Sequence, residues 1–389
     1  MKPANRVINL PAYPFARLGK RLAELKAQGM DVIRLDIGSP DLPPPQPIID
    51  ALCRSAHNPD HHGYSDYYGI PALRQAIADY YQRRFGVSLD PGSEIVSLIG
   101  SKEGIVNIAL AYLDPADLAL VPDPGYAPYT MGACLASARV ETFPLLAERN
   151  YLPDFAAIPA EVAGRAKLIW LNYPNNPTGA TATLEFLAEA VAFAREHDLL
   201  ICHDAPYCDL TYDGYVAPSI LQVEGAREVA VEFNSLSKLY NMAGWRVGMA
   251  VGNRQAVEAL GRVKTNVDSG IFRAIQDAAV EALTGDQSWL LERNAVYQER
   301  RDIILAGLAA VGIHARKPEA GLYVWAPVPA GYTSADFATR LLEEVGISIT
   351  PGTVFGVQGE GYMRISLGAA TERIRQAMER LAALRLPKS

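Results

Sequence analysis

The chain has 389 residues, 49% of them hydrophobic and 20% charged, enough to bury two cores rather than one. Acidic residues outnumber basic ones, 43 to 36, and the net charge of −7 removes the basic field that nucleic-acid binding needs. No apolar run approaches the ~20 residues required to cross a bilayer, and Met1–Leu10 lacks the apolar centre of a secretory signal. Cys53, Cys134, Cys202 and Cys208 show no zinc-like spacing, so a reducing cytoplasm is the simplest compartment.

From the N-terminus, Leu18, Leu22 and Leu25 recur at helical spacing and predict a helix over Ala16–Gln28, stopped by Gly29. Val32–Ile37 reads as a short strand ending at Gly38. The proline cluster Pro43–Pro47 reads as a stiff connector and a domain boundary, or equally as an ordinary surface loop. An aromatic loop, Tyr64 to Gly69, precedes a helix over Pro71–Phe85. Seven apolar strands follow, at Glu94–Ile99, Leu118–Pro122, Arg139–Phe143, Lys167–Leu171, Leu199–His203, Val229–Phe233 and Val247–Val251. Helical stretches at Gly104–Leu113, Thr130–Ala136 and Leu184–His197 alternate with them, which argues an α/β architecture with a largely parallel sheet covered on both faces. After residue 285 the pattern changes to a long charged helix, Ser288–Leu308. Strands at Ile313–Ala315, Leu322–Ala326 and Met363–Ser366 and a helix over Glu372–Leu386 complete it. The expected division is a large domain, 46–284, and a smaller α+β domain made of 1–45 and 285–389.

Ligands on such sheets bind at the carboxyl ends of strands, and the chemistry-bearing residues fall there, one group per strand end. Lys238 lies just past an apolar strand, in Asn234-Ser235-Leu236-Ser237-Lys238, with Arg246 eight residues later. A lysine desolvated in such a place becomes a usable nucleophile. The hydroxyls of Ser235 and Ser237 and the guanidinium of Arg246 suit a phosphate. Gly100-Ser101-Lys102 opens a helix directly after a strand, another place for a phosphate, although a Ser in that position is more often only a cap. Asp204 ends a further apolar strand, where a carboxylate is costly unless paired.

Together, Ser-x-Ser-Lys at 235–238, Asn-x-x-Gly-x-Arg-x-Gly at 241–248 and Asn172-Tyr-Pro-Asn-Asn-Pro-Thr-Gly179 resemble the class I/II aminotransferases of fold type I, pyridoxal-phosphate enzymes. The resemblance runs from about Tyr13 to the C-terminus. It implies a covalent tether for pyridoxal 5′-phosphate at Lys238 and a phosphate site formed by Ser101, Lys102, Ser235, Ser237 and Arg246. It further implies that Tyr126 stacks on the pyridine ring, that Asn176 and Tyr207 reach its 3′-oxygen, and that Asp204 pairs with its nitrogen. Arg364 matches the arginine that grips the substrate α-carboxylate, with Gly38 and Asn176 beside it. Tyr64 matches a tyrosine that reaches the neighbouring subunit's phosphate, which implies a homodimer with shared sites; Tyr13 and Asp268–Arg273 read as further contributors or, more simply, as structural residues. His203 matches no family ligand and reads as structural. The reaction implied moves an amino group between an L-amino acid and a 2-oxo acid.

Within the family, Gly100-Ser-Lys-Glu-Gly-Ile105, Tyr151-Leu-Pro-Asp154 and Asn172–Ala180 are most similar to LL-diaminopimelate aminotransferases, which serve lysine biosynthesis. The loop Tyr64-Ser-Asp-Tyr-Tyr-Gly69 departs from the Glu-containing version of some members. A broad-range alanine, methionine or aspartate aminotransferase therefore stays open, as does a carbon–sulfur β-lyase. A cofactor-sensing regulator is disfavoured, because only about 45 residues precede the large domain.

Overall fold

The computed structural model describes residues 1–8, 10 and 14–384. Twelve strands occur among them: β1 (Ile33–Arg34), β2 (Ile95–Leu98), β3 (Leu118–Asp123), β4 (Arg139–Pro144), β5 (Ala166–Leu171) and β6 (Leu200–Asp204), then β7 (Ala230–Ser235), β8 (Gly248–Gly252), β9 (Tyr323–Pro327), β10 (Ile347–Ser348), β11 (Thr350–Pro351) and β12 (Tyr362–Ser366). Seven form the main sheet, in the order β2-β8-β7-β6-β5-β3-β4. All its neighbours run parallel except β8, which is antiparallel to both β2 and β7.

The burial of this sheet explains why its strands read as unbroken apolar runs. Every residue of β2, β3, β6, β7 and β8 is buried, because helices cover both faces, while the edge strand β4 is largely exposed. The helix Pro71–Phe85 stops at Gly86, whose left-handed φ of 68° costs no steric clash with a Cβ. Leu184–His197 starts where Thr183 accepts the Phe186 N–H.

Topology explains why one edge of the sheet carries the chemistry. The chain leaves β2, β3, β5, β6 and β7 at the same edge. Since β8 runs the opposite way, the segment entering it arrives at that edge too. Ser101, Asp123, Asn172, Asp204, Lys238 and Arg246 are thereby delivered to one side.

A second core gathers Ile33 and Leu35 with Tyr297, Ile304, Val324, Phe337, Ile365 and Leu381. Its sheet is antiparallel, in the order β11-β12-β9, and β1 pairs in parallel with β10. Tyr207, Leu210 and Tyr212, which follow β6 of the main sheet, also belong to this core.

Three expectations change. The proline connector is partly helix: Gln46–Ala56 begins inside it, with Pro47 in the first turn, where a missing N–H costs nothing. Ile313–Ala315 forms no strand. Gly312 is left-handed and the Ile313 N–H bonds back to the Leu308 carbonyl, so the apolar Ile313 closes the preceding helix. The strand expected over Val32–Ile37 shrinks to two residues. Helices over Arg254–Val267, Arg273–Thr284 and Ser334–Val345 were not anticipated.

Candidate active site

A cavity of about 390 Å³ opens at the functional edge of the main sheet, and the second sheet supplies its far wall. It is lined by Gly38, Ser101, Lys102, Tyr126, Asn176, Asp204, Tyr207, Ser235, Ser237, Lys238, Arg246 and Arg364. Twelve of the fourteen anticipated residues therefore meet in one place. Tyr64 does not: its side chain stands in solvent, 91% exposed, and the cavity lacks it. Tyr13 lies outside the described residues. Asp268 and Arg273 are engaged elsewhere, in ion pairs with Lys264 and Asp277.

Lys238 sits in a one-turn helix, Leu236–Leu239, that begins as β7 ends. Its Nζ donates to the Gly38 carbonyl at 2.6 Å. Burial, with help from the nearby cations Arg246 and Arg364, pushes its pKa down from 10.5 to about 8. A substantial fraction of free amine thus exists near neutrality, as a nucleophile or proton carrier needs.

Polar donors converge on one end of the cavity. Arg246 donates to the Ser237 hydroxyl at 3.2 Å. The Ser235 hydroxyl accepts the Ser237 N–H at 3.3 Å. Opposite them the helix Ser101–Tyr112 begins after Gly100, whose φ is 75°. A Cβ on Gly100 would overlap the Arg246 guanidinium, so only glycine lets that cation lie across the helix start. Hydroxyls, a guanidinium and the N–H groups of a twelve-residue helix form a ready site for a dianionic phosphate.

At the end of β6, Asp204 is 3% exposed. One carboxylate oxygen accepts from the Tyr129 hydroxyl at 2.7 Å; the other, Oδ1, has no partner among the described residues. Burial raises its pKa to about 6, opposed by the Tyr129 hydrogen bond and by His203. A carboxylate left half satisfied beside a cavity lacks a cation. Tyr129 is itself stacked on Trp170, ring centroids 4.6 Å apart. Sequence reasoning missed it; its signal is its place three residues after Tyr126, one helical turn on. His203 faces the other way and bonds Glu232 at 2.9 Å, a structural role as expected.

Arg364, on β12, is the second incompletely satisfied ion. Its guanidinium lies 4.2 Å from the centroid of Tyr323 and 4.7 Å from that of Phe355. It donates to Asn176 Oδ1 and to the Asp36 carbonyl, each at 2.9 Å, while its Nε is buried without a partner. Asn176 is fixed in turn through its N–H by Asn172 Oδ1, at 2.8 Å. Tyr207 and Tyr323 share a hydrogen bond of 2.9 Å. The Tyr323 hydroxyl occupies the space a Cβ on residue 38 would need, which accounts for Gly38. Tyr323 and Phe355 were also missed, because each acts through its contact with Arg364 and neither lies in a motif of its own.

Among the described residues, no cluster of potential ligands could hold a metal and all four cysteines are free. No helix there is long and apolar enough to cross a membrane.

Comparison with known proteins gives a consistent result. The family model for aminotransferases of class I and II matches residues 30–381. An LL-diaminopimelate aminotransferase of Moorella thermoacetica is 55% identical over 381 residues, covering 98% of each chain. Among solved structures, apo-BacF of Bacillus subtilis superposes with a TM-score of 0.96 at 39% identity, covering 100% of this chain and 99% of that one. An aspartate aminotransferase double mutant of Thermus thermophilus gives 0.93 at 30% identity, covering 98% and 99%.

Proposed function

The chain belongs to the aminotransferases of class I and II, and from that premise we propose that it is a pyridoxal-phosphate enzyme whose amino donor is LL-diaminopimelate. The cofactor reading rests on fit. The donor set at Ser101, Ser235, Ser237 and Arg246 suits its phosphate, and the unpartnered Asp204 Oδ1 suits its pyridinium nitrogen. When bound, pyridoxal phosphate supplies a carbonyl carbon for attack and a ring that accepts electrons.

The chain's own groups then divide the work. Lys238 Nζ, whose pKa of about 8 makes free amine available near neutrality, would tether the cofactor through that carbonyl carbon and would carry the proton that leaves the substrate α-carbon. Asp204, ionised above about pH 6, would hold the ring nitrogen cationic. Tyr126 would cover a face of the ring, and Asn176 and Tyr207 would hold its 3′-oxygen. Arg364 takes the α-carboxylate in its aromatic sandwich, where exclusion of water strengthens the grip. Donor and acceptor use the same site in turn, so ping-pong kinetics follow.

The division of the chain at residues 46 and 284, a homodimer in which Tyr64 reaches the partner's site, and a cytoplasmic location complete the proposal. The 91% exposure of Tyr64 supports the second of these, and the four free cysteines support the third.

The single observation that carries the donor assignment is the 55% identity to the Moorella enzyme across 98% of both chains. Half-reactions followed optically with LL-diaminopimelate, glutamate, alanine, aspartate and methionine test it. LL-diaminopimelate should react with the highest kcat/KM among the donors other than glutamate. A flat profile across the panel would replace this reading with a broad-range aminotransferase.

A further inference from the structure

Tyr207 and Tyr323 meet at the cavity wall through their hydroxyls, 2.9 Å apart, a separation that fits donation in either direction. We propose that Tyr323 is a positioning residue for the cofactor's 3′-oxygen: its hydroxyl donates to Tyr207 and so frees the Tyr207 hydrogen to point into the cavity. This rests on the pyridoxal-phosphate reading above and adds to it a residue outside the motifs that carry that reading.

Counting hydrogens gives the direction. A phenol has one hydrogen to donate and accepts through its oxygen. Neither hydroxyl has another hydrogen bond among the described residues. With the Tyr207 hydrogen given to the 3′-oxygen, the hydrogen between the two phenols has to be that of Tyr323. The reverse direction would set Tyr207 lone pairs against an oxygen that also accepts. Tyr207 keeps its hydrogen at working pH, because burial, reinforced by Tyr323 and Tyr126 against the pull of Arg364, holds its pKa well above the usual phenol range.

Packing makes Tyr323 a fixed donor. Both side chains are buried, and the rings meet edge-on with centroids 5.7 Å apart. A Cβ at residue 38 would stand 2.1 Å from the Tyr323 hydroxyl, so the Gly38 backbone confines that oxygen on one side. The Arg364 guanidinium lies 4.2 Å from the ring centroid, and β9 anchors the residue by pairing it with Ser366 of β12. Ring and hydroxyl therefore have separate tasks: the ring walls Arg364, and the hydroxyl serves Tyr207. A hydroxyl that accepts one hydrogen bond donates the next more strongly, by about 10–30%.

The test titrates the absorbance of the bound cofactor against pH in the wild-type holoenzyme, Tyr323→Phe, Tyr207→Phe and the double variant. Tyr126, Asp204, Lys238 and Arg364, which line the cavity with this pair, are common to all four. A donor to the 3′-oxygen favours its anionic form and lowers the pH of the absorbance transition. Tyr323→Phe should raise that pH by about 0.3 units, the contribution of a reinforced hydrogen bond, and Tyr207→Phe should raise it further. On the Tyr207→Phe background, Tyr323→Phe should add nothing, because its hydroxyl acts through Tyr207 alone. Tyr323→Leu also takes the ring from Arg364, and its KM for every amino donor should exceed that of Tyr323→Phe by at least about threefold. A transition in Tyr323→Phe that stays at the wild-type pH would overturn the proposal, as would a Tyr323→Phe shift that persists in full without the Tyr207 hydroxyl. Either result strikes the donor assignment alone. A wild type whose fluorescence shows no uptake of pyridoxal phosphate brings down the proposed function along with it.

Discussion

Replacing Lys238 with methionine should make the cofactor-free protein more stable at neutral pH, although it destroys the nucleophile. The amine is partly buried at the cavity wall, near the cations Arg246 and Arg364, and its pKa falls from 10.5 to about 8. At about 1.4 kcal/mol per pKa unit, that shift corresponds to roughly 3 kcal/mol of penalty for the ammonium form in the folded state. Below pH 8 the group is protonated in both folded and unfolded chains, so the penalty is present in full. Between pH 8 and 10.5 the unfolded chain holds the proton and the folded chain does not, so wild-type stability rises with pH. Above 10.5 the penalty is gone. Methionine fills similar volume without charge, at the cost of the ammonium's hydrogen bond to the Gly38 carbonyl, about 2 kcal/mol for a charged donor. The apo Lys238→Met variant should therefore exceed wild type by about 1 kcal/mol at pH 7 in urea unfolding. Its advantage should vanish as pH passes 10.5. A variant less stable than wild type at pH 7, or a gap independent of pH, would refute the claim that this amine is destabilised by its surroundings.

Other perturbations separate the parts of the site. Asp204 has a folded pKa of about 6 against 3.8, so its neutral form favours folding below 3.8 and that contribution is lost as pH rises through about 6. In Asp204→Asn this slope should disappear from apo-protein urea curves, while the pyridoxal-phosphate dissociation constant at pH 8, read by fluorescence, should rise at least roughly tenfold for the lost ion pair. Gly100→Ala places a Cβ against the Arg246 guanidinium at a left-handed φ; it should cost about 1–2 kcal/mol in chemical denaturation and weaken cofactor retention on dialysis. Gly356→Ala would press on the Asp123 carboxylate, which accepts the Val357 and Gln358 N–H groups and so holds the loop bearing Phe355. Because Phe355 walls the Arg364 sandwich, steady-state kinetics should show a higher KM for every amino donor with the cofactor spectrum unchanged.

What could be read in advance depended on how far apart in the chain the cooperating groups lie. Asp204 ends and Lys238 follows a fully buried strand, and Asn176 follows one exposed only at Lys167; such strands announce themselves as apolar runs that stop abruptly at polar residues. The surroundings of Arg364 are different in kind. Its bond to the Asp36 carbonyl spans 328 residues and that to Asn176 spans 188, so no local pattern encodes them. Arg34 and Asp36 read as an ordinary alternation on a short strand, and only the fold shows that both border the cavity. Ile313 was misread for the opposite reason. A buried isoleucine in a short apolar run has the composition of a strand, but Gly312 turns it back onto its own helix. Pro47 likewise has the composition of a linker and the position of a helix start.

The same division explains how a one-turn helix can aim a nucleophile. Leu236–Leu239 is too short to be stable alone, and β7 fixes only where it begins. Its far end is held by Arg293, which is 3% exposed and projects from the long helix Trp289–Ala310. That guanidinium donates to the Lys238 and Leu239 carbonyls and, at 2.7 Å, to the Asp209 carbonyl in the segment after Tyr207. A cation at the carboxyl end of a helical turn satisfies carbonyls that have no partner within the turn. Burial penalises its charge, and the nearest compensation is the Asp209 carboxylate together with these carbonyls. The turn carrying Lys238 and the segment carrying Tyr207 are therefore pinned to one another by a side chain from the helix that also supplies Tyr297 and Ile304 to the second core. The main sheet brings the amine to the cavity, and the long helix of the second core sets its direction.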